Sequence, residues 1–568
     1  MLSEQPILST RGMVACAHYL ATQAGLQILI QGGNAIDAAI AANAVMTVVY
    51  PSTCSAGGDV FMFIWEAKTQ QLHALNGSGR APQGMTPQYF ASRGMQQVPE
   101  RGPLPITVPG AVDGWFEALG RFGSLSAETI FAPAIAFAEE GVPVSPKLGN
   151  WLSHAAKEVL QPWESSVRVF LPHGQPPRTG EILRQPNLAR TYRTLAKEGR
   201  DAFYRGPLAR SITNYVQRCG GVLSMQDMEQ HHSDWVAPIS TNYRGYDVYE
   251  FPPNTQGIAA LEMLNILEGY DTCWILPAPQ AGSPHSTSLG YQSAEYLHIL
   301  LEAKKLAYAD RDTYVSDPAF VDVPVEQLLS KTYAERQRAR INPKRATPYY
   351  AGGLEKEGDT MYLCVADRAG NVVSLIQSLS FGFGSGIVGG DTGVLLHNRG
   401  SYFFLDPRHV NYLQPGKRTM HTLTPAMVLR NGRPYMAIGS MGGDAQPQIH
   451  VQLLSAIIDF GFNVQQAITA PRWRSSRYNV EPPGTRQEMV GQRAVDERAR
   501  DTIVEMVLLE DRFLKEVPLA LELLGHQTII GQPWEDAMGH AQAIVINPST
   551  RVFEGAADPR CDGLALGW

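Results

Sequence analysis

The sequence has no cysteine pairing pattern. Its six cysteines (Cys16, Cys54, Cys219, Cys273, Cys364 and Cys561) include no CxxC pair and no ligand spacing. That excludes a disulfide framework or a cysteine zinc site as the organising device, and free buried thiols are expected. Long hydrophobic runs are missing as well. The longest, Ala35 to Tyr50, carries Asp37 and Asn43 and is too short to span a bilayer. Nor is there an excess of one charge: 47 basic against 54 acidic residues give −7, which argues against a nucleic-acid partner. The chain has no GxSxG elbow, no Walker A loop and no HExxH, and no internal repeat or low-complexity tract. Without a third ligand, His231-His232 reads as a solvated loop and not as a metal site.

What is present is apolar bulk and regular patterning. At 568 residues with 44% hydrophobic residues the chain can build large cores. Met13 to Gln31 shows helical spacing that stops at Gly32-Gly33-Asn34, and Ala35 to Val48 predicts a second, Ala-rich helix. Val60 to Trp65 and the segment ending near Asn76 predict paired strands, and the pattern is helical again to about Gly141. The region from about 145 to 345 is mostly helical, and 346–357 is an irregular connector. Later strands are predicted at Thr392 to His397, and at Thr422 to Leu429 and Tyr435 to Gly439 around Asn431-Gly432. Ala445 to Phe460 predicts an amphipathic helix, Pro483 to Glu505 an exposed insertion, and the C-terminal end a closing hairpin.

The rest of the chain is organised around Gly358 to Ser378. After Asp359, Met361, Leu363 and Val365 share one strand face and Tyr362, Cys364 and Ala366 the other, so the strand is covered on both sides. Asp367 to Asn371 turns the chain into a returning strand. The run Gly384-Ser385-Gly386-Ile387-Val388-Gly389 then fits GxGxxG, but Gly390-Asp391-Thr392-Gly393 follows where a dinucleotide fold needs a helix. No cofactor or metal is expected.

The stretch from Gly358 to Ser378 is similar to the start of the small subunit in the gamma-glutamyltranspeptidase family. Further likenesses are Gly32 to Ala39, Thr107 to Ala111, Tyr243 to Pro253, Glu302 to Arg311, Gly439 to Asp444 and Met538 to Arg560, nearly the full chain. The family comprises N-terminal-nucleophile hydrolases made as one chain that cuts itself before a threonine. The resemblance implies an α+β fold, a four-layer αββα sandwich, with a large subunit 1–359 and a small catalytic subunit 360–568. It makes Asp359–Thr360 the cleavage site, Thr360 the nucleophile, Ser378 a hydroxyl bonded to that nucleophile, and the N–H groups of Gly442 and Gly443 the oxyanion hole. An N-terminal threonine supplies its own base, because a free α-amine titrates near ~7.7–8.0. Members outside the cytoplasm begin with a signal or anchor. Here Met1 to Thr10 is polar, and the similarity starts at Arg11-Gly12-Met13-Val14, which implies a cytoplasmic protein with no membrane partner.

Substrate recognition departs from the best-known transpeptidases. Their carboxylate-binding arginine is matched two positions late, by Arg80, and their serine pair becomes His421-Thr422. The residues that hold the α-ammonium are matched by Ser380, Arg399 and Tyr402, and an arginine there opposes an ammonium. The resemblance therefore points to the lid-less, cephalosporin (glutaryl) acylase-like branch. The expected activity is hydrolysis of γ-glutamyl amides such as glutathione, favoured over transpeptidation. A dedicated glutaryl-type acylase is the alternative, and an uncleaved scaffold is the reading from another class. The expected partners are the small amide substrate and the two subunits of one precursor, with a dimer of that heterodimer left open.

Overall fold

The computed structural model describes residues 4–272, 290–348, 358–479 and 503–568. Two seven-stranded antiparallel sheets form its centre. The first runs, in spatial order, Ile7–Ser9, Phe553–Ala557, Ala541–Ile546, Arg433–Ser440, Ala426–Arg430, Tyr246–Glu250, Ile239–Tyr243. The second runs Leu564–Gly567, Gly12–Cys16, Asp359–Asp367, Val372–Ser380, Asp59–Glu66, Gln71–Gly77, Asp234–Val236.

Alternation along these strands sorts side chains into layers. Phe61, Phe63, Tyr362, Cys364, Met427, Ala437 and Ile544 pack together between the two sheets. Val60, Met62, Met361, Leu363 and Val365 face outward into a core shared with helices Tyr19–Ile30, Ala35–Val49, Ala111–Phe122 and Ala127–Glu140. The outer face of the first sheet packs Val428, Met436 and Ile438 against helices Gly257–Leu267, Ala294–Tyr314 and Gln446–Ile458. The result is helix, sheet, sheet, helix: the αββα sandwich. The central strands Asp359–Asp367, Val372–Ser380 and Asp59–Glu66 are buried along nearly their whole length, covered on both faces, which is why 359–367 reads as apolar on both faces. Among the described residues no helix is long and apolar enough to cross a membrane.

Several local expectations change. Gly12–Cys16 is a buried strand and the helix begins only at Tyr19, because a short apolar run fits either period and here both faces are covered. Thr392 to His397 makes only isolated bridges, Val388 with Leu395 and Gly57 with Leu396. Helix Gln446–Ile458 is buried nearly all round instead of amphipathic, since it lies under other helices. Residues 483–502 of the anticipated insertion and 349–357 of the connector fall outside the described residues. Glu505, placed in the insertion by the sequence, lies in strand Ile503–Leu509, buried against Lys304 Nζ at 2.9 Å. Cys16, Cys54, Cys219, Cys364 and Cys561 are free thiols, while Cys273 lies outside the described residues.

Candidate functional site

The hairpin 359–380 holds the candidate nucleophile at its open end. Asp359 pairs with Ser380 and Met361 with Gln377, so the register shifts and Thr360 faces Ser378 and Leu379 together. Thr360 Oγ1 is buried and has no hydrogen-bond partner. A buried hydroxyl in that state is unusual enough to require a functional or structural reason. Ser378 Oγ donates to the Asp359 carbonyl at 2.6 Å and accepts from Ser380 N–H at 2.7 Å. The hydroxyl expected beside the nucleophile thus lies on the carbonyl oxygen that the nucleophile would attack. Ser380 itself has φ 82, uncommon for a residue with a Cβ, and its Oγ is unpartnered.

The glycines of 439–443 explain how the other sheet reaches this point. A Cβ on Gly439 would run into the Tyr362 ring, so only glycine lets the two sheets close here. The chain then turns through Gly442 (φ 144) and Gly443 (φ 53). A Cβ on Gly358 would lie 3.3 Å from Gly443 Cα, which sets the turn beside the Gly358-Asp359-Thr360 backbone. Among the described residues no hydrogen bond uses the N–H of Gly442 or Gly443. Gln256 braces the turn, its Nε2 donating to Gly443 O at 2.9 Å and Thr422 O at 2.8 Å. Arg311 Nη1 ties Gln256 Oε1 (2.8 Å) to Asp444 Oδ1 (2.7 Å). Tyr402 OH reaches Asp444 Oδ2 at 3.3 Å.

Arg399 points inward. It is 1% exposed, donates from Nη1 to Thr422 Oγ1 at 3.0 Å, and leaves Nη2 buried without a partner. Its guanidinium lies 5.1 Å from the Tyr402 ring. The two acids that could have drawn it outward are engaged elsewhere, Asp391 with Arg168 and Asp406 with Arg408. Burial lowers the Arg399 pKa, opposed by Tyr402, Asp59 and Asp444. Arg80 instead turns to Asp234 at 2.9 Å and to His232 O at 3.1 Å. Neither contact joins it to the cluster around Thr360.

His421 is committed to the frame. Its Nδ1 accepts from Leu423 N–H at 3.3 Å and its Nε2–H donates to Asp59 Oδ2 at 3.0 Å. His397 approaches the same oxygen with Nδ1 at 3.3 Å, while its Nε2 lies 3.0 Å from Thr107 O. Asp59 pairs with Ser378 across the sheet and accepts from Gly79 N–H at 2.9 Å. Burial would raise the Asp59 pKa, but His397 and His421 hold it well below the usual carboxylate range. Burial, and then Arg399, push the His421 pKa down from 6.5 to about 3. Because the folded pKa is the depressed one, this stability is fully present above 6.5 and is lost as pH falls toward about 3. At pH 5 the linked loss from His421 is about 2 kcal/mol. Denaturant unfolding at pH 7 and pH 5 is expected to show His421→Gln losing less stability over that interval than the wild type, by about that amount.

His231 corrects the solvated-loop expectation: it is buried and stacks on Tyr204 at 5.3 Å, while His232 is exposed. The described residues bring together one set of metal-type donors that the sequence did not suggest, His298, Glu302 and His526. Their needs are met internally, His298 bonding His526 at 2.8 Å and Glu302 pairing with Lys305 at 2.7 Å. The GxGxxG run is followed by bridges and a single turn at Arg399–Tyr402, with no phosphate-binding helix. Sequence reasoning missed Asp59, Gln256, His397 and Asp444. Only Asp59 offered a signal, a carboxylate opening an otherwise apolar strand after Gly57-Gly58.

The family model that matches is Gamma-glutamyltranspeptidase, over residues 21–568. The chain is 39% identical over 568 residues to the glutathione hydrolase-like YwrD proenzyme of Bacillus subtilis, covering 99% of each chain. It is 36% identical over 570 residues to the oxamate amidohydrolase proenzyme of Klebsiella pneumoniae, again covering 99% of each. Among solved structures, cephalosporin acylase from Bacillus halodurans superposes with a TM-score of 0.88 at 38% identity, covering 100% of this chain and 98% of that one.

Proposed function

Since the chain belongs to the gamma-glutamyltranspeptidase family of N-terminal-nucleophile hydrolases, we propose that it cleaves itself between Asp359 and Thr360 and then hydrolyses amides through an acyl-Thr360 intermediate. The observation that carries this reading is the unpartnered Thr360 Oγ1 beside a carbonyl that already accepts from Ser378. In self-cleavage, Oγ1 attacks the Asp359 carbonyl carbon, and Ser378 donates to the oxygen as it becomes an oxyanion. The C–N bond breaks as the leaving nitrogen takes up the Oγ1 proton, which leaves a free α-amine and an Asp359 ester on Oγ1, and water opens that ester. The freed α-amine of Thr360 then acts as the base that takes the Oγ1 proton when a substrate amide arrives. Gly442 and Gly443 N–H groups serve the second oxyanion, one such donor being worth roughly 2.7–4 kcal/mol.

Arg399 favours glutaryl-type amides over γ-glutamyl ones, because an inward guanidinium with no acceptor repels an α-ammonium. With water as acceptor, hydrolysis is favoured over transpeptidation. The mature protein is expected to comprise residues 1–359 and 360–568. N-terminal sequencing of purified protein tests it: a sequence starting only at Met1, or at a residue other than Thr360, rejects the reading. Paired chromogenic γ-glutamyl and glutaryl anilides then test substrate class. Gly442→Ala is expected to lower kcat by about two orders of magnitude with the fold retained. A Cβ at φ 144 is strained and would press on Ile449, so the N–H is re-aimed. An unchanged kcat would remove the turn from the oxyanion role.

A further inference from the structure

Arg101 has no part in the steps above, yet it is built into the rim of the same site. Its Nη1 donates to Gly382 O at 2.6 Å and Gly384 O at 2.5 Å, and its guanidinium lies 5.6 Å from the Phe381 ring. Phe381 in turn sits 6.3 Å from Tyr402, so Arg101 and Arg399 flank one aromatic pair. The Asp359 carboxylate comes to this loop too, since a Cβ on Gly382 would collide with Asp359 Oδ2. Glycine at 382 lets the carboxylate lie against the backbone whose carbonyl Arg101 holds. Burial lowers the Arg101 pKa, and Asp359 is the first charge opposing that, ahead of Glu100.

The chemistry of Asp359 makes this arrangement informative. Its main-chain carbonyl is the group that Thr360 would attack, and its carboxylate carbon is separated from that carbonyl by Cα and Cβ alone. The precursor therefore presents to its own nucleophile the half-amide of a short dicarboxylic acid. Once the cut frees Asp359 to withdraw, a largely buried guanidinium loses the carboxylate that chiefly offsets its desolvation, an unfavourable state unless another anion arrives.

We propose that Arg101 is an anion subsite, filled by the Asp359 carboxylate in the precursor and by the terminal carboxylate of a succinyl- to glutaryl-length acyl group in the mature enzyme. The proposal deepens the reading of Thr360 as an acyl carrier and rests on it for the substrate, but the subsite is testable without cleavage or turnover. Succinate and glutarate are titrated calorimetrically into three uncleaved proteins: Thr360→Ala, Asp359→Ala/Thr360→Ala, and the latter with Arg101→Gln added. The double variant, with the subsite vacated, is expected to bind at least tenfold more tightly than Thr360→Ala, and Arg101→Gln to abolish the gain. Equal binding by the first two, no effect of Arg101→Gln, or no binding to the double variant each overturns the subsite. Failure of the Thr360 reading shows separately, as wild-type protein that is neither cut nor active on either anilide.

Discussion

Thr360→Ala is expected to give a single uncut chain with no measurable amide hydrolysis, against two chains and full activity for the wild type. Both steps draw on one atom, Oγ1, so no residual route is left when it goes. The fold should survive. The residue is buried, but the hydroxyl has no hydrogen bond to lose, and removing one methyl from a strand position costs about 1 kcal/mol. Thr360→Ser keeps the oxygen and loses the β-methyl that restricts χ1, so it should cleave and turn over more slowly. Gel electrophoresis and anilide hydrolysis on the same preparations decide it. Normal processing of the alanine variant would mean that another residue is the nucleophile.

Arg399→Gln is expected to move specificity from glutaryl toward γ-glutamyl anilides. Like charges about 4 Å apart repel by ~4 kcal/mol at an effective dielectric near ~20, several hundredfold in binding. The glutamyl ammonium meets that repulsion, and the glutaryl chain does not. Glutamine is neutral and offers a carbonyl acceptor, so kcat/KM for the glutamyl substrate should rise while that for glutaryl falls. The inward placement of Arg399 gives the expectation its force: the guanidinium is buried on Thr422, with one nitrogen unpaired. A strong wild-type preference for glutamyl, unmoved by the substitution, would sink the electrostatic argument.

Much of the frame was legible because it follows from period and turn chemistry. The faces assigned to Met361, Leu363 and Val365 and to Tyr362, Cys364 and Ala366 are the outer and inter-sheet faces of the structure. Asn431 and Gly432 take φ 53 and 71, the left-handed pair that a two-residue hairpin demands. Gly12–Cys16 was lost to the helix that follows because five apolar residues carry no decisive period. His231 was misread because a histidine pair looks polar, and nothing local announces the Tyr204 ring that covers one member. Around Thr360, the sequence indicated which residues to compare but not which way they point. Arg80 faces Asp234, His421 faces Asp59, and Gln256 spans two loops far apart in the chain. Such pairings are set by tertiary placement, which no spacing along the chain records.

The strand order has a kinetic corollary. In the second sheet, Gly12–Cys16 lies between Leu564–Gly567 and Asp359–Asp367, and Asp59–Glu66 borders Val372–Ser380. In the first, Ile7–Ser9 closes on Phe553–Ala557, and Tyr246–Glu250 on Ala426–Arg430. Residues before and after position 359 are thus interleaved like the fingers of two hands, and the covalent link there makes their first meeting a unimolecular event. Once that link is cut, the denatured halves meet only by diffusion, and each exposes unpaired sheet edges while it waits. Renaturation of the cut protein would then be second order and prone to hysteresis, whereas the uncut Thr360→Ala chain would refold at a rate independent of concentration.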